Sequence, residues 1–412
     1  MTSERRTLEH RQISRNEIGA WQDAVSIGFM SLPDPATHAF ADAIFDHRRT
    51  MATFEAGKIV GTYVSFPTTV TLPGGTCTDA NAISGVTVLP THRNRGILRH
   101  AIVKDLTDAK ERGDSVALLL ASEFPIYGRF GFGVANEYST YEVDVRGIQF
   151  LQPPETGSVE LVSTTDAFAL CKTVFDRSRL NAAGAIERHD VVWQRILCLI
   201  DDRAEWKFKG FIAVSCDSSG QPDGFVRYSC GDQWVNDRPQ VEVVVTELIA
   251  STPQAHLRLW HYLCNMAWVA KVKIEESSTD DDIRLLVVDQ RMVRQSSRLD
   301  HTWARALDIA KLTTTRTYET TDRVTFELID DLGFANGTYK LDASPEGSSC
   351  KRVRGKPDLT ITVNDLSSLV FGGASAAAFK RVGRLDERRT GTAARLDRLF
   401  RTSRAPWNPT RF

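Results

Sequence analysis

The segment from Asn81 to Ala121 constrains this chain more than any other, because its hydrophobic period changes twice within it. Val86 and Val88 alternate as in a strand, and Pro90 ends that run. Leu98, Ile102, Leu106 and Ala109 then recur at helical spacing, and Gly113 stands where a left-handed residue stops a helix. Val116–Ala121 is a continuous apolar run, as in a strand covered on both faces. Strand, helix and buried strand make a βαβ unit. The switch between its first two parts is Arg93-Asn94-Arg95-Gly96. Such a turn leaves the first-turn amides unpaired at the positive end of the helix dipole, and Gly96 lets a ligand approach bare backbone. With Arg93 and Arg95 it suits a pyrophosphate; the alternative is a solvated basic turn that only starts a helix.

At 412 residues the chain exceeds one ordinary core, so two or three domains are expected. Its 51 basic and 52 acidic side chains are mixed along the sequence, which gives no bulk-charge reason to expect a nucleic-acid partner. The seven cysteines form no C-x-x-C pair, which argues against a disulfide framework or a structural zinc site. His256 and His261, five apart on a helical pattern without a clear third ligand, read as surface or core histidines, so no metal is expected. No run approaches the ~20 apolar residues of a membrane span, and the charged start Met-Thr-Ser-Glu-Arg-Arg has no apolar core behind it. A soluble cytoplasmic protein without a membrane partner is the expectation, with export lacking a signal peptide as the alternative.

Ser14 and Glu17 form a capping box, and Ile13 with Ile18 a hydrophobic staple, for a helix carrying Ile18, Trp21, Val25 and Phe29 up to Pro33 and Pro35. That stripe reads as core. The end of this helix and the Pro-rich loop after it, near Asp34, Asp42 and Asp46, have a second reading as the border of an acceptor site. Met51–Phe54, Lys58–Phe66 and Thr69–Leu72 are strand-like and make an antiparallel meander with Asn81–Val88. From about Val159 the order repeats: a strand at Glu160–Val162, helices at Thr165–Ser178 and His189–Ile200, and hairpin strands at Trp206–Val214 and Gly224–Ser229. Gln240–Leu248, a helix opened by Ser251-Thr-Pro253, and Val269–Ile274 then restate the strand, helix, strand unit. Their turn, 246–252, has neither the arginines nor the glycine. After Asp289 the pattern predicts a short helix around Trp303, Leu307 and Ile309–Leu312. Strands at Arg323–Ile329, Gly337–Leu341 and Leu359–Val363 follow, then helices at Asn364–Leu369, Gly373–Arg381 and Ala393–Phe400.

Leu89-Pro-Thr-His-Arg-Asn-Arg-Gly-Ile-Leu-Arg99 resembles the acyl-CoA signature of the GNAT N-acetyltransferases in its Eis (enhanced intracellular survival) form, and Ile126-Tyr-Gly-Arg-Phe-Gly-Phe-Gly133 resembles the same family more specifically. The resemblance implies a mixed α/β and α+β chain. A GNAT domain over 1–148 binds acetyl-CoA, a degenerate GNAT-like domain over 149–298 does not, and a sterol-carrier-protein-like domain over 299–412 delivers the C-terminus. It implies that the backbone of Val86 and Val88 meets the pantetheine, that Arg93, Asn94, Gly96 and Ile97 line the pyrophosphate, and that Ser122 and Glu123 line the donor's other side. Many relatives carry arginine at Asn94. Tyr127 is then the general acid beside the thioester sulfur, and the terminal carboxylate of Phe412 the base. Without the resemblance, Tyr127 reads as a core tyrosine and Phe412 as a frayed end. Ser84, Gly85 and Arg411 fall at the acceptor, where relatives commonly have an aromatic residue after the serine and an acidic residue before the terminal aromatic. The implied activity is acetyl transfer from acetyl-CoA to primary amines of polycationic small molecules such as aminoglycosides or basic cyclic peptides, in a homo-hexamer. A protein lysine acetyltransferase is a close variant, and a non-catalytic acyl-CoA- or lipid-binding module is the rival.

Overall fold

The computed structural model describes residues 7–200 and 208–412; the N-terminal hexapeptide and the expected strand start at Trp206 lie outside them. The first sheet has seven strands, in the order Leu8–Gln12, Thr50–Glu55, Lys58–Thr71, Cys77–Val88, Val116–Leu120, Thr302–Ala306 and Gly133–Val134. The first four form an antiparallel meander. Cys77–Val88 and Val116–Leu120 are parallel and joined by the helix Ile97–Arg112, which ends on left-handed Gly113. This is the βαβ unit read from the hydrophobic period.

Lys58–Phe66 and Thr69–Leu72, expected as separate strands, are one strand through Pro67. The neighbour Thr50–Glu55 ends its pairing at Thr50↔Val64. Between Val64 and the bridge Val70↔Ile186 no described strand pairs on that side, and a missing N–H is tolerated there. Trp303 is not helical: it lies in the wholly buried strand Thr302–Ala306, and the helix starts later, over Ile309–Thr315. The strand pattern was masked by Arg305, which is fully buried and bidentate to Asp330 at 2.8 and 2.9 Å.

The capping box at Ser14 and Glu17 is present, and Ile13 and Ile18 share a core with Trp21 and Val25. Phe29 departs from the expected stripe, being half exposed at the end of the helix Ile18–Gly28. A second helix, Ala36–Ile44, follows. The three carboxylates near the Pro-rich loop make local contacts. Asp34 accepts from the Ala36 amide at 3.0 Å, Asp42 pairs with Arg15 at 3.1 Å, and Asp46 accepts from the Arg48 amide at 2.9 Å.

The second sheet, also seven-stranded, runs Val293–Asp300, Glu137–Asp144, Val269–Ser278, Val241–Ala250, Pro222–Cys230, Phe211–Cys216 and Ser158–Val162. Val241–Ala250 and Val269–Ser278 are its parallel pair, joined by the helix Pro253–Cys264, whose first turn is capped by the Thr252 hydroxyl. The two units therefore repeat one topology. The third has a five-stranded sheet over which Val363–Val370 and Thr392–Phe400 pack. One apolar core joins it to the first sheet, with Leu118, Ala304 and Ala306 meeting Val363, Leu366 and Leu369.

Candidate active site

Parallel pairing in the first sheet runs from Ala80↔Val116 to Ile83↔Leu119 and stops there, while the strand Cys77–Val88 continues five residues further. From Ser84 onward its backbone faces a cleft on that side. Gly85 sits at the adjacent register shift with φ +56°, and its carbonyl accepts from the Thr62 hydroxyl at 2.8 Å. A Cβ there would lie 2.8 Å from Cη2 of Trp21. Glycine stands at this position because the buried indole of Trp21 already fills the space.

Val86, Val88, Arg93, Asn94, Gly96, Ile97, Ser122 and Glu123 all line one cleft of about 560 Å³. Asn94 and Gly96 are both left-handed, at φ +63° and +79°. Asparagine is among the few residues that adopt this conformation at little cost, which is a local reason for it in place of arginine. Gly96 caps the 16-residue helix without any side-chain bond to its first-turn amides. Arg95 is held back by Glu55 at 2.7 Å, whose other oxygen takes His92 at 2.9 Å. Arg95 first and His92 second hold the Glu55 carboxyl below its ordinary range.

A second cavity of about 360 Å³ is lined by Ser84, Gly85, Tyr127, Arg411 and Phe412 among others. Phe29, Val86, Ser122 and Tyr127 border both cavities, so the two meet at the tyrosine. The fold thus brings all of the expected site residues to two adjoining spaces, although they span 84 to 412 in the sequence. Tyr127 is only 5% exposed. Burial first, and the charge of Glu123 second, push its phenol up to about 12, so it holds its proton at neutral pH.

The segment carrying Tyr127 is clamped from later in the chain, by residues that sequence reasoning missed. Asn364, at the start of the helix Val363–Val370, donates from Nδ2 to the carbonyls of Gly128 at 2.6 Å and Phe132 at 2.8 Å. Arg305 Nε donates to the Phe130 carbonyl at 2.8 Å. A Cβ on Gly133 would lie 2.0 Å from the Asn364 carbonyl oxygen, so the last glycine of the motif is a contact point for that helix. No local pattern announces Asn364 or Arg305, because their partners are distant in sequence.

The C-terminal tail is fixed along its length. The Ala405 amide donates to Asp280 at 2.8 Å, Arg404 pairs with Asp282 at 2.6 Å, and the Trp407 amide donates to the Ala183 carbonyl at 2.8 Å. Asn408, fully buried, donates to the Thr302 hydroxyl at 3.1 Å and accepts from the Ile186 amide at 3.3 Å. Arg188 reaches the Pro409 carbonyl at 3.2 Å and the Thr410 hydroxyl at 3.3 Å; Glu247 at 2.8 Å balances its buried charge. Arg411 then forms a forked ion pair with Glu276, 2.9 and 3.0 Å from its Nε, and the ring of Phe412 meets Phe66 edge-on at 5.9 Å. The anchoring by Arg188 and Asn408 has no sequence signal.

His256 bonds to Asp281 at 3.2 Å and to the Trp260 indole, and among the described residues no group of three or more His, Cys, Asp or Glu side chains gathers as metal ligands.

Residues 9–135 and 184–306 each match an acetyltransferase (GNAT) domain, and residues 306–409 match a sterol carrier protein domain. An uncharacterized N-acetyltransferase of Streptomyces avermitilis is 36% identical over 98% of this chain and 99% of its own. The N-acetyltransferase Eis of Mycobacterium bovis is 27% identical over 83% of each chain. The crystal structure of Eis1 from Mycobacterium abscessus superposes with a TM-score of 0.87 at 28% identity, over 98% of this chain and all of the other. Similarity along the whole length, in the same order of two GNAT units and a sterol-carrier-like unit, makes the chain a member of the Eis family of GNAT N-acetyltransferases.

Proposed function

We propose that the protein transfers the acetyl group of acetyl-CoA directly to a primary amine, with Tyr127 as general acid and the Phe412 carboxylate as base. The observation that carries this reading is that Tyr127, Val86 and Ser122 border both cavities while Phe412 lines only the second. The pyrophosphate lies over the amides after Gly96, and the pantetheine runs along the open edge of Val86 and Val88 toward Tyr127. The N–H of Val88 faces the thioester oxygen. An alkyl ammonium of pKa ~10.4 must lose a proton first, and the Phe412 carboxylate takes it through water. The amine nitrogen attacks the thioester carbonyl, an N–C bond forms and the C–S bond breaks. The departing thiolate then takes the Tyr127 proton, and the proton that the acylated nitrogen still sheds returns through water to restore the phenol. A phenol pushed up to about 12 keeps its proton at neutral pH, so the proton is present to be donated.

The family resemblance brings aminoglycosides, basic cyclic peptides and protein lysines as acceptors to offer, a homo-hexamer as the assembly and the cytoplasm as the location. No described helix is long and apolar enough to cross a membrane. Thiol release from acetyl-CoA, measured with and without one residue appended after Phe412, tests the transfer reading. Loss of turnover with unchanged acetyl-CoA affinity is expected; unchanged turnover removes the terminal carboxylate from the mechanism. A protein that binds acetyl-CoA but releases thiol with no amine is the non-catalytic module.

A further inference from the structure

Resting on the transfer reading above, we infer that Glu276, on the second unit's strand Val269–Ser278, recognises a second ammonium of the acceptor, and that the guanidinium of Arg411 occupies it until the acceptor arrives. The lining of the acceptor cavity mixes apolar residues with the hydroxyls of Ser84, Ser122 and Tyr127, and Arg411 is the one charged side chain among its described residues. Glu276 stands behind that guanidinium, its oxygens 2.9 and 3.0 Å from Nε. Arg411 immediately precedes Phe412, so this carboxylate lies one arginine side chain away from the terminal residue. An acceptor with two ammonium groups then meets two carboxylates. The reacting amine gives its proton toward Phe412, and the second ammonium donates to Glu276 in place of the guanidinium.

Two observations set this pair apart from the rest of the tail's anchors. The first is backbone geometry. Val272 and Ile274 point into the core, and strict alternation would send Glu276 after them. The register with the strand Glu137–Asp144 slips between Ile274 and Ser277, so that Ser277 takes the buried position and Glu276 turns out to Arg411. A bulge that re-aims one side chain is a feature of strands beside active sites. The second is redundancy. Asn408 and Thr410 are already buried and bonded, with Arg188 on Pro409 and Thr410, so the tail is fixed before Arg411 is reached. The side chains of Arg411 and Glu276 are by contrast 60% and 27% exposed. A pair this open to water is held weakly, so a ligand ammonium can exchange with the guanidinium, which turns into solvent at little cost.

Initial rates of thiol release with the full chain test this, with tobramycin and spermine offered as polycations and glucosamine and hexylamine as monoamines at constant ionic strength. Glu276→Gln should lower kcat/KM for a reacting polycation at least about fivefold, mainly through KM, and Arg411→Ala should raise it about threefold or more. A reacting monoamine should move by less than about twofold with either change. In the double variant the gain from Arg411→Ala should vanish, because it exists only while Glu276 is there to be uncovered. A polycation kcat/KM that Arg411→Ala leaves unchanged or lowers overturns the inference, as does release with the monoamines alone; both leave amine acetylation in place. Release with none of the four, while acetyl-CoA still binds by calorimetry, ends the transfer reading and this inference with it.

Discussion

Asn364→Ala should slow catalysis from outside both cavities. The side chain makes two hydrogen bonds, at 2.6 and 2.8 Å, to the carbonyls on either side of the turn that follows Tyr127. At a net ~1 kcal/mol each, their loss makes local opening of that turn easier by about 2 kcal/mol. An opening free energy lower by that amount raises the exchange rate of the Gly131 and Phe132 amides about 30-fold. Misplacing Tyr127 by even a fraction of an ångström should cost about 10-fold or more in kcat. The dissociation constant of acetyl-CoA should not move, because Asn364 lines neither cavity. Asn364→Asp is the sharper control: it keeps the shape, removes both donors, and sets a carboxylate against two carbonyls, so it should be at least as damaging as alanine. The measurements are native-state hydrogen exchange, kcat by thiol release, and calorimetric titration with acetyl-CoA. Faster exchange with kcat unchanged would refute a positioning role. Unchanged exchange would show that the two bonds do not hold the turn.

Tyr127→Phe should lower kcat by about 10²- to 10⁴-fold and leave acetyl-CoA binding intact, and full activity in the phenylalanine variant would remove the general acid. Wild-type kcat should show no basic limb below about pH 11 that Tyr127→Phe abolishes, since the phenol is raised to about 12. Arg188→Met should leave Glu247 short of one of its two buried arginine partners and free the tail at Pro409 and Thr410. The cost is about 3–5 kcal/mol for a broken buried pair, and proteolytic nicking of the tail is the readout. His301, buried behind Trp407 with their rings 5.8 Å apart, has its imidazole lowered to about 4, chiefly by burial, with Arg411 adding to the fall and Glu276 opposing it. Its folded value lies below its unfolded value, so this stability is present above about pH 6.5 and is lost as pH falls toward 4, by about 3 kcal/mol. His301→Phe should flatten denaturant midpoints over that range, and an unchanged pH slope would exclude His301 as its source.

The βαβ unit was legible because its period changes at a glycine turn, and the repeat was legible because Gln240–Ile274 restates the period without the turn's arginines. The positions at the two cavities were legible through two local motifs and the last residue of the chain. The strand at Trp303 was not, because its alternation contains a buried arginine whose partner, Asp330, lies 25 residues on. Buried charge inverts the rule that charged residues face water, and only the partner's position reveals it. Asn364, Arg188 and Asn408 were invisible for the same reason: each bonds to backbone more than 200 residues away. Gly85 was legible as a departure, but its cause was not, because the aromatic surface it makes room for comes from Trp21, on another element.

The second unit explains how the chain end is held in place. In the first unit the strand continues past its parallel partner, and the opening lies between the strand end, the helix start and the residues after the second strand. The second unit repeats the arrangement: parallel pairing ends at Val245↔Ile274 while the strand runs on to Ala250. The corresponding opening is bordered by Leu248, Thr252, Pro253 and His256, and by Asp280 to Asp282 beyond the second strand. It has no glycine or arginine turn for a pyrophosphate, and the three aspartates would repel one. Arg404, Ala405, Trp407 and Pro409 border the same opening, with Arg404 and the Ala405 amide bonded to those aspartates. The opening that corresponds to the candidate donor cleft of the first unit holds the chain's own tail in the second. Restoring a basic turn at 246–252 would therefore weaken the tail before it created a second donor site.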